Sequence, residues 1–400
     1  MKAPRLPVPT PLHGTDTAFT QDSITRRLTK ILQRTLAEND LPDTAVAQLT
    51  ALLNSIPHGR IGYLPDHLAP ELDIWQADIQ PYLGQTWLEA PWFFVETYFY
   101  RRIAAAVDHF RSGIDPFAHQ KRQGLAATVT QTQALLRQAD RLITNGWQPN
   151  GFRQMLLAAL WGNQADMSMW AAGDDAMPNH AKVDDQTTHL LVDDTTAVAQ
   201  LLQSPVRRVD FIMDNAGFEL IGDLCLTDYL LATRQVGTVF YHLKLFPTFV
   251  SDATAFDVES TVAYLNHHED PILREAGQRL ISYLVNGRLH LVTDPFWTSP
   301  HPLWQLPPTI NQQLANANLL ISKGDANYRR ALGDAPWPHT TPFADIVSYL
   351  PTPALFLRTC KSEVLAGLST AQAAKMAQLD EDWLINGRWG VNQLANNNSD

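Results

Sequence analysis

The sequence predicts an α/β fold: a mainly parallel sheet with helices on both faces, Rossmann-like in its three α/β/α layers, with an N-terminal all-helical region packed against it. Three observations predict it. From about residue 186 onward, short apolar runs alternate with helical periodicity, the pattern of a parallel sheet covered on both sides. Before residue 185 the periodicity is helical and no strand is evident. The length, 400 residues, allows two domains or one large unit with a sizeable core. The reading is a helical region, 1–185, an α/β domain, 186–390, and a polar tail, 391–400.

Each element has its own justification. Residues 23–36 place Ile24, Leu28, Ile31, Leu32 and Leu36 on one helical face, with Asp22 or Ser23 as N-cap. Asp43 can cap a second helix carrying Val46, Leu49, Leu52 and Leu53. Residues 92–110 form a long apolar segment that includes Glu96, Arg101 and Arg102, and 128–160 again have helical spacing. Apolar runs at 188–192, 209–213, 239–245, 289–292, 319–322 and 354–357 read as strands. Helical patterns at 218–233, 258–265, 271–285 and 370–385 fall between or after them. Residues 396–400 are polar and expected to fray.

Composition narrows the function. Lys plus Arg number 30 against 41 Asp plus Glu, a net charge of −11. That balance disfavours nucleic acid and anionic membrane surfaces as partners, which are held by basic stripes. It does not exclude a small cationic pocket. The two cysteines, Cys225 and Cys360, do not make a disulfide framework, which fits a reducing compartment. No secretory signal is read at the N-terminus, and no apolar run is long enough to cross a membrane. A cytoplasmic protein is expected.

In open α/β sheets, ligands bind beyond the carboxyl ends of the strands. Four expected strand ends carry chemistry there. Asp214, Asn215 and Glu219 follow the 209–213 run, and Asp252 follows the next. Lys323, Asp325, Asn327, Tyr328 and Arg329 follow 319–322, and Arg358, Cys360 and Lys361 follow 354–357. Asp214, Asn215 and Asp252 are oxygen donors suited to a hard divalent ion such as Mg²⁺ or Mn²⁺. Lys323, Arg329, Arg358 and Lys361 are cations suited to a phosphate. A metal beside a phosphate cradle can support phosphoryl transfer. Each residue also has a structural reading. A strand-end Asp can be a turn residue or N-cap, Glu219 a first-turn carboxylate, and Arg358 with Lys361 a solvated turn. Cys360 reads as a packed residue. His267-His268-Glu269 lacks metalloprotease spacing and reads as surface.

These segments resemble the metal-dependent damage-control phosphatases. The run Asp214-Asn215-Ala216-Gly217-Phe218-Glu219 is similar to the family's metal-binding segment. Arg358-Thr359-Cys360-Lys361 resembles the RTxK motif of subfamily III, the acidic residue methyltransferase 1-like branch. "KGDANYR" (323–329), Ser251-Asp252, "ETYFYRR" (96–102) and "LWGNQADMS" (160–168) resemble segments of the same branch. The resemblance spans roughly residues 90 to 365. It implies that Asp214, Asn215 and Asp252 ligate a divalent metal: Mn²⁺, Co²⁺, Ni²⁺ or Mg²⁺. It implies that Asp325, Asn327, Arg329 and Lys361 contact a small phosphorylated metabolite, with Glu219 lining the pocket and Asn163 and Asp166 reaching in from the helical region. Lys323, Tyr328 and Arg358 belong to the same substrate segments. The branch favours sugar phosphates such as fructose 1-phosphate and fructose 6-phosphate.

The reaction expected is hydrolysis of a phosphate monoester, with Asp214, Asp252, Asp325 and Lys361 as the catalytic set. Asp325 is the candidate for orienting the water or protonating the leaving alkoxide. Two rivals differ in class. One is an S-adenosylmethionine-dependent protein carboxyl methyltransferase, as the branch name records. Cofactor binding over a parallel sheet usually needs a glycine-rich turn, and the turn 214–219 offers only Gly217. The other is a non-catalytic sugar-phosphate binder, for which the full charged set would be superfluous.

Overall fold

The computed structural model describes residues 3–65, 69–166 and 188–396. Its strands are β1 (Leu190–Asp193), β2 (Val206–Ile212), β3 (Val236–Leu243), β4 (Leu289–Thr293), β5 (Leu319–Lys323), β6 (Ala354–Thr359) and β7 (Gly390–Ala395). They form one sheet in the order β1-β7-β6-β5-β2-β3-β4. All neighbours are parallel except β6 and β7. The expected mainly parallel sheet is therefore present. From β2 the chain moves to β3 and β4 on one side, then returns to β5 and β6 on the other. Strand order thus reverses between β2 and β5, where an open sheet leaves a crevice beyond its carboxyl ends.

Strand periodicity builds two cores, one on each face. Phe211, Ile321 and Leu355 point into one, and Ile212, Leu320 and Phe356 into the other. The first core is covered by α4 (Val129–Thr144), α5 (Pro149–Asp166), α6 (Gly217–Ala232), α7 (Ala255–Asn266) and α8 (Pro271–Val285). The second takes in α1 (Leu28–Glu38), α2 (Asp43–Ser55), α3 (Trp92–Ala106) and α9 (Asp325–Leu332). Full burial of each such apolar side chain contributes about 1.5–3 kcal/mol. Both cores draw on residues from both sides of position 185. No helix among the described residues is long and apolar enough to cross a membrane.

The six expected strand centres all fall in strands. The polar tail expected from 391 does not, because residues 391–395 belong to β7, between β1 and β6. Its polar side chains make bonds inside the fold, although Asn392 Oδ1 is buried without a hydrogen-bond partner. Asn392 Nδ2 donates to Thr195 Oγ1 at 2.8 Å, and Gln393 Oε1 accepts from the Tyr328 hydroxyl at 3.0 Å. Bonded polar residues give a buried strand a soluble-looking sequence. The first expected helix also starts earlier than read. Thr17 caps it through a capping box with Thr20, so Asp22 and Ser23 lie inside. Residues 23–27 then form a π-turn before α1. The 128–160 stretch breaks into α4 and α5 near Gly146, whose φ is +75°.

Candidate active site

Asp214 and Asn215 leave β2 just beyond its last paired residue, and Asp252 ends the loop after β3. Main-chain bonds knit the two ends together. Ala253 N–H donates to the Asp214 carbonyl and Ala216 N–H to the Ser251 carbonyl, each at 2.7 Å, on either side of an Asn215–Asp252 bridge. The loop bends at Phe249 (φ 47°) and Val250 (φ 69°). Ser251 N–H returns to the Phe249 carbonyl at 2.9 Å, closing a three-residue turn on Val250. A β-branched residue in the left-handed region is strained. The Phe249 ring lies 5.1 Å from Tyr100 and 6.1 Å from Phe93 of α3, so aromatic packing holds the turn. On the other side, Gly324 after β5 has φ +83°, and a Cβ there would stand 1.9 Å from Asp214 Oδ2. Only glycine lets the Asp214 carboxylate occupy its place.

The side chains interlock. Asn215 Nδ2 donates to Asp214 Oδ2 and to Glu219 Oε2 at 2.8 Å each, and Ser251 Oγ donates to Asn215 Oδ1 at 2.5 Å. Lys244 Nζ pairs with the buried Asp252 Oδ2 at 3.1 Å. Burial pushes the Asp214 carboxyl well above the usual carboxylate range, and the Glu219 and Asp252 carboxylates push it further. Burial also raises Asp252, against the pull of Lys244. Crowded buried carboxylates fit a hard divalent cation, which would relieve their repulsion. Among the described residues no three His, Cys, Asp or Glu converge on one point. The set is two carboxylates and one amide, Asp214, Asn215 and Asp252, leaving other coordination positions to water and substrate.

Asp325 faces the same space from the start of α9. Burial pushes its carboxyl up, but the Arg358 and Arg329 guanidinia, Lys361 N–H and the Ser362 hydroxyl outweigh this and hold it below the usual range. Arg358 Nε donates to Asp325 Oδ1 at 2.7 Å, with Ser362 Oγ at 3.1 Å and Lys361 N–H at 3.2 Å. It is thus ionised at neutral pH, which suits orienting a water and not protonating a leaving alkoxide.

A cavity of about 720 Å³ joins these groups. Asp214, Asn215, Asp252, Asp325, Arg329 and Lys361 line it. Arg329 stacks 3.5 Å over the Trp92 ring, grips Asp334 at 2.7 and 3.0 Å, and bonds Glu96 Oε2 at 2.6 Å. Five expected residues do not line the cavity. Glu219 stands behind Asn215. Lys323 is buried, 2.9 Å from Asp223 and 3.3 Å from Glu219, and also donates to the Ala159 carbonyl. Asn327 Nδ2 bonds the carbonyls of Met213 at 3.0 Å and Lys323 at 2.8 Å, tying β2 to β5. Arg358 is buried against Asp325 and the Ser362 carbonyl, and Tyr328 points to Gln393 and Ala366. These five support the site from beneath. Asn163 and Asp166 lie on α5, and their side chains fall outside the described residues.

One wall was not anticipated. Asp22, Arg26, Arg27, Lys30 and Arg34, from the helical stretch ahead of and within α1, line the cavity opposite the strand ends. The sequence signal is the four-residue spacing of Arg26, Lys30 and Arg34, masked because the apolar face alone was read.

Three comparisons bear on this site. A family model described as "Damage-control phosphatase ARMT1-like domain" matches residues 20–376. Damage-control phosphatase ARMT1 of Bos taurus is 32% identical over 333 residues, covering 77% of this chain and 75% of that protein. The protein of the same name from Xenopus laevis is 32% identical over 338 residues, covering 78% and 77%. A solved DUF89 family protein from Pyrococcus horikoshii aligns over 92% of this chain and 95% of its own, at 14% identity and a TM-score of 0.45, too low to add to the argument.

Proposed function

The chain belongs to the damage-control phosphatase ARMT1-like family, and from that premise we propose that it hydrolyses small phosphorylated metabolites with the help of a divalent metal. Sugar monophosphates such as fructose 1-phosphate and fructose 6-phosphate are the substrates we infer, and Mn²⁺, Co²⁺, Ni²⁺ or Mg²⁺ the metal. The observation that carries this reading is the crowding of Asp214, Asn215 and Asp252 at the reversal of strand order, with both carboxyls raised by burial.

Asp214, Asn215 and Asp252 would hold the metal, which when bound supplies Lewis-acid polarisation of a phosphoryl oxygen. The rest falls to the chain. Lys361 and Arg329 neutralise charge on the phosphoryl oxygens, and preset electrostatics of this kind is the main work in phosphoryl transfer. Asp325, kept ionised by Arg358, orients the attacking water. The water oxygen bonds to phosphorus as the bond from phosphorus to the sugar oxygen breaks; one proton of that water passes by way of solvent to the sugar oxygen, and hydrogen phosphate and an alcohol leave. Lys244 and Lys323 keep the carboxylates from repelling one another apart. The methyltransferase reading is not favoured: the turn after β2 places carboxylates and an amide where a cofactor would need bare backbone.

The test is phosphate release from a panel of sugar monophosphates by chelator-stripped protein, with each metal added back. Metal-dependent release that disappears in Asp252→Ala supports the reading. Absence of release under every metal, with methyl transfer to protein carboxyls instead, overturns it.

A further inference from the structure

The cationic wall is left without a role by a sugar monophosphate. The reacting phosphoryl group is met by the strand-end residues, so the far end of a hexose monophosphate offers the opposite wall only hydroxyls. Yet four cations stand there against three carboxylates, Asp22, Glu38 and Glu96, a local positive excess in a chain whose net charge is −11. Their placement has a cause in the backbone. Arg26, Lys30 and Arg34 recur every four residues with Arg27 beside them, so one helical face carries all four, and a π-turn over Ser23–Arg27 opens that stretch. Such turns are rare within helices and recur at functional sites.

The cations differ in how they are held. Arg27 is fixed at 2.6 Å by the buried Glu96, whose other oxygen holds Arg329, so Arg27 stands where the two walls meet, and Lys30 and Arg34 lie further along the helix. Arg26 pairs with Asp22 at 3.0 Å and Arg34 with Glu38 at 2.5 Å, both arginines being largely in solvent. Exposed pairs of this kind are weak and easily exchanged for a stronger anion. Lys30 has no carboxylate partner among the described residues. The wall therefore has one fixed cation and three that can be recruited.

We propose that this wall is a second anion subsite, and that the preferred substrates are phosphorylated sugars carrying a further phosphate or carboxylate at the end remote from the reacting phosphoryl group. The proposal rests on the phosphatase reading only for which end reacts.

Binding to the full-length, metal-free protein tests it apart from catalysis. Calorimetric titration compares a hexose 1,6-bisphosphate with the corresponding 1- and 6-monophosphates at fixed ionic strength. The expected result is at least tenfold tighter binding of the bisphosphate, with that preference abolished in Lys30→Ala/Arg34→Ala. Lys375→Ala, an exposed lysine outside the cavity, controls for charge loss alone and is expected to keep the preference. Equal affinity of the wild type for both sugars overturns the proposal. So does an equal loss for all ligands in the double variant, which would make the wall a general attractor of anions. With metal restored, kcat/KM ratios are expected to follow the binding ratios. If no substrate releases phosphate while the binding preference holds, the phosphatase reading fails and the subsite stands. If release occurs without preference, the reverse is true.

Discussion

The two walls of the cavity are built in opposite ways. The strand-end wall is buried and interlocked: Asp214, Asn215 and Asp252 are fixed by backbone bridges, by side-chain bonds to Glu219 and Ser251, and by a glycine that leaves room for one carboxylate. The helical wall is solvated, with long cationic side chains in weak pairs. A rigid, desolvated wall suits chemistry, where misplacement by an ångström is costly. A mobile charged wall suits selection among anions, where reach matters more than position. Glu96 is the exception that joins them, since its two oxygens bind Arg27 from one wall and Arg329 from the other, at 2.6 Å each.

Substitutions can break or sharpen this contrast. The largest effect is expected on the rigid wall. Asp214→Asn keeps the shape and removes the charge; phosphate release should fall by about 10³-fold, as for loss of a preset electrostatic group, with little change in melting temperature. Retained activity would remove Asp214 from the chemistry. Next comes the joint between the walls. Glu96→Gln leaves the buried Arg329 with one carboxylate fewer, and unfolding in urea should show a loss of about 3 kcal/mol. A loss under 1 kcal/mol would mean the two walls are not coupled there. Gly324→Ala drives a methyl into the Asp214 carboxylate and strains a left-handed backbone. A cost of about 2 kcal/mol is expected by the same measurement, with activity lost beyond what stability explains. The smallest effect is expected at the strained turn. Val250→Gly should raise stability by about 1 kcal/mol while lowering kcat, because relief of strain loosens the loop that carries Asp252. A rise in kcat would show that the strain hinders the reaction.

The same contrast explains what could be read from the sequence. β5, β6 and the last four residues of β2 are buried on both faces and stand out as short, mostly apolar runs, so the strand ends and Asp214, Asp252, Asp325 and Lys361 could be located. Facing direction could not. Lys323 and Arg358 occupy the expected positions but turn inward to Asp223 and Asp325, because a buried cation goes to the nearest carboxylate. Whether a strand-end lysine meets substrate or a neighbour depends on α6, which brings Asp223 beneath β5. The cationic wall was hidden for another reason. On a surface helix, Arg26, Lys30 and Arg34 look like any solvated face, and only the fold shows what stands opposite. β7 was missed because Asn392 and Gln393 have partners nearly two hundred residues away or on a distant helix.

That last strand also has a kinetic meaning. β1 lies at the edge of the sheet and pairs with β7 alone, in a register that joins Leu190 to Gly390. Asp194 likewise accepts from Leu394 N–H, 200 residues along the chain. Closing so long a loop is entropically slow, and contacts of this range delay folding. The first strand of the sheet to be synthesised is therefore among the last to find its place. Until it does, β7 keeps one edge unpaired, held in the sheet by β6 alone.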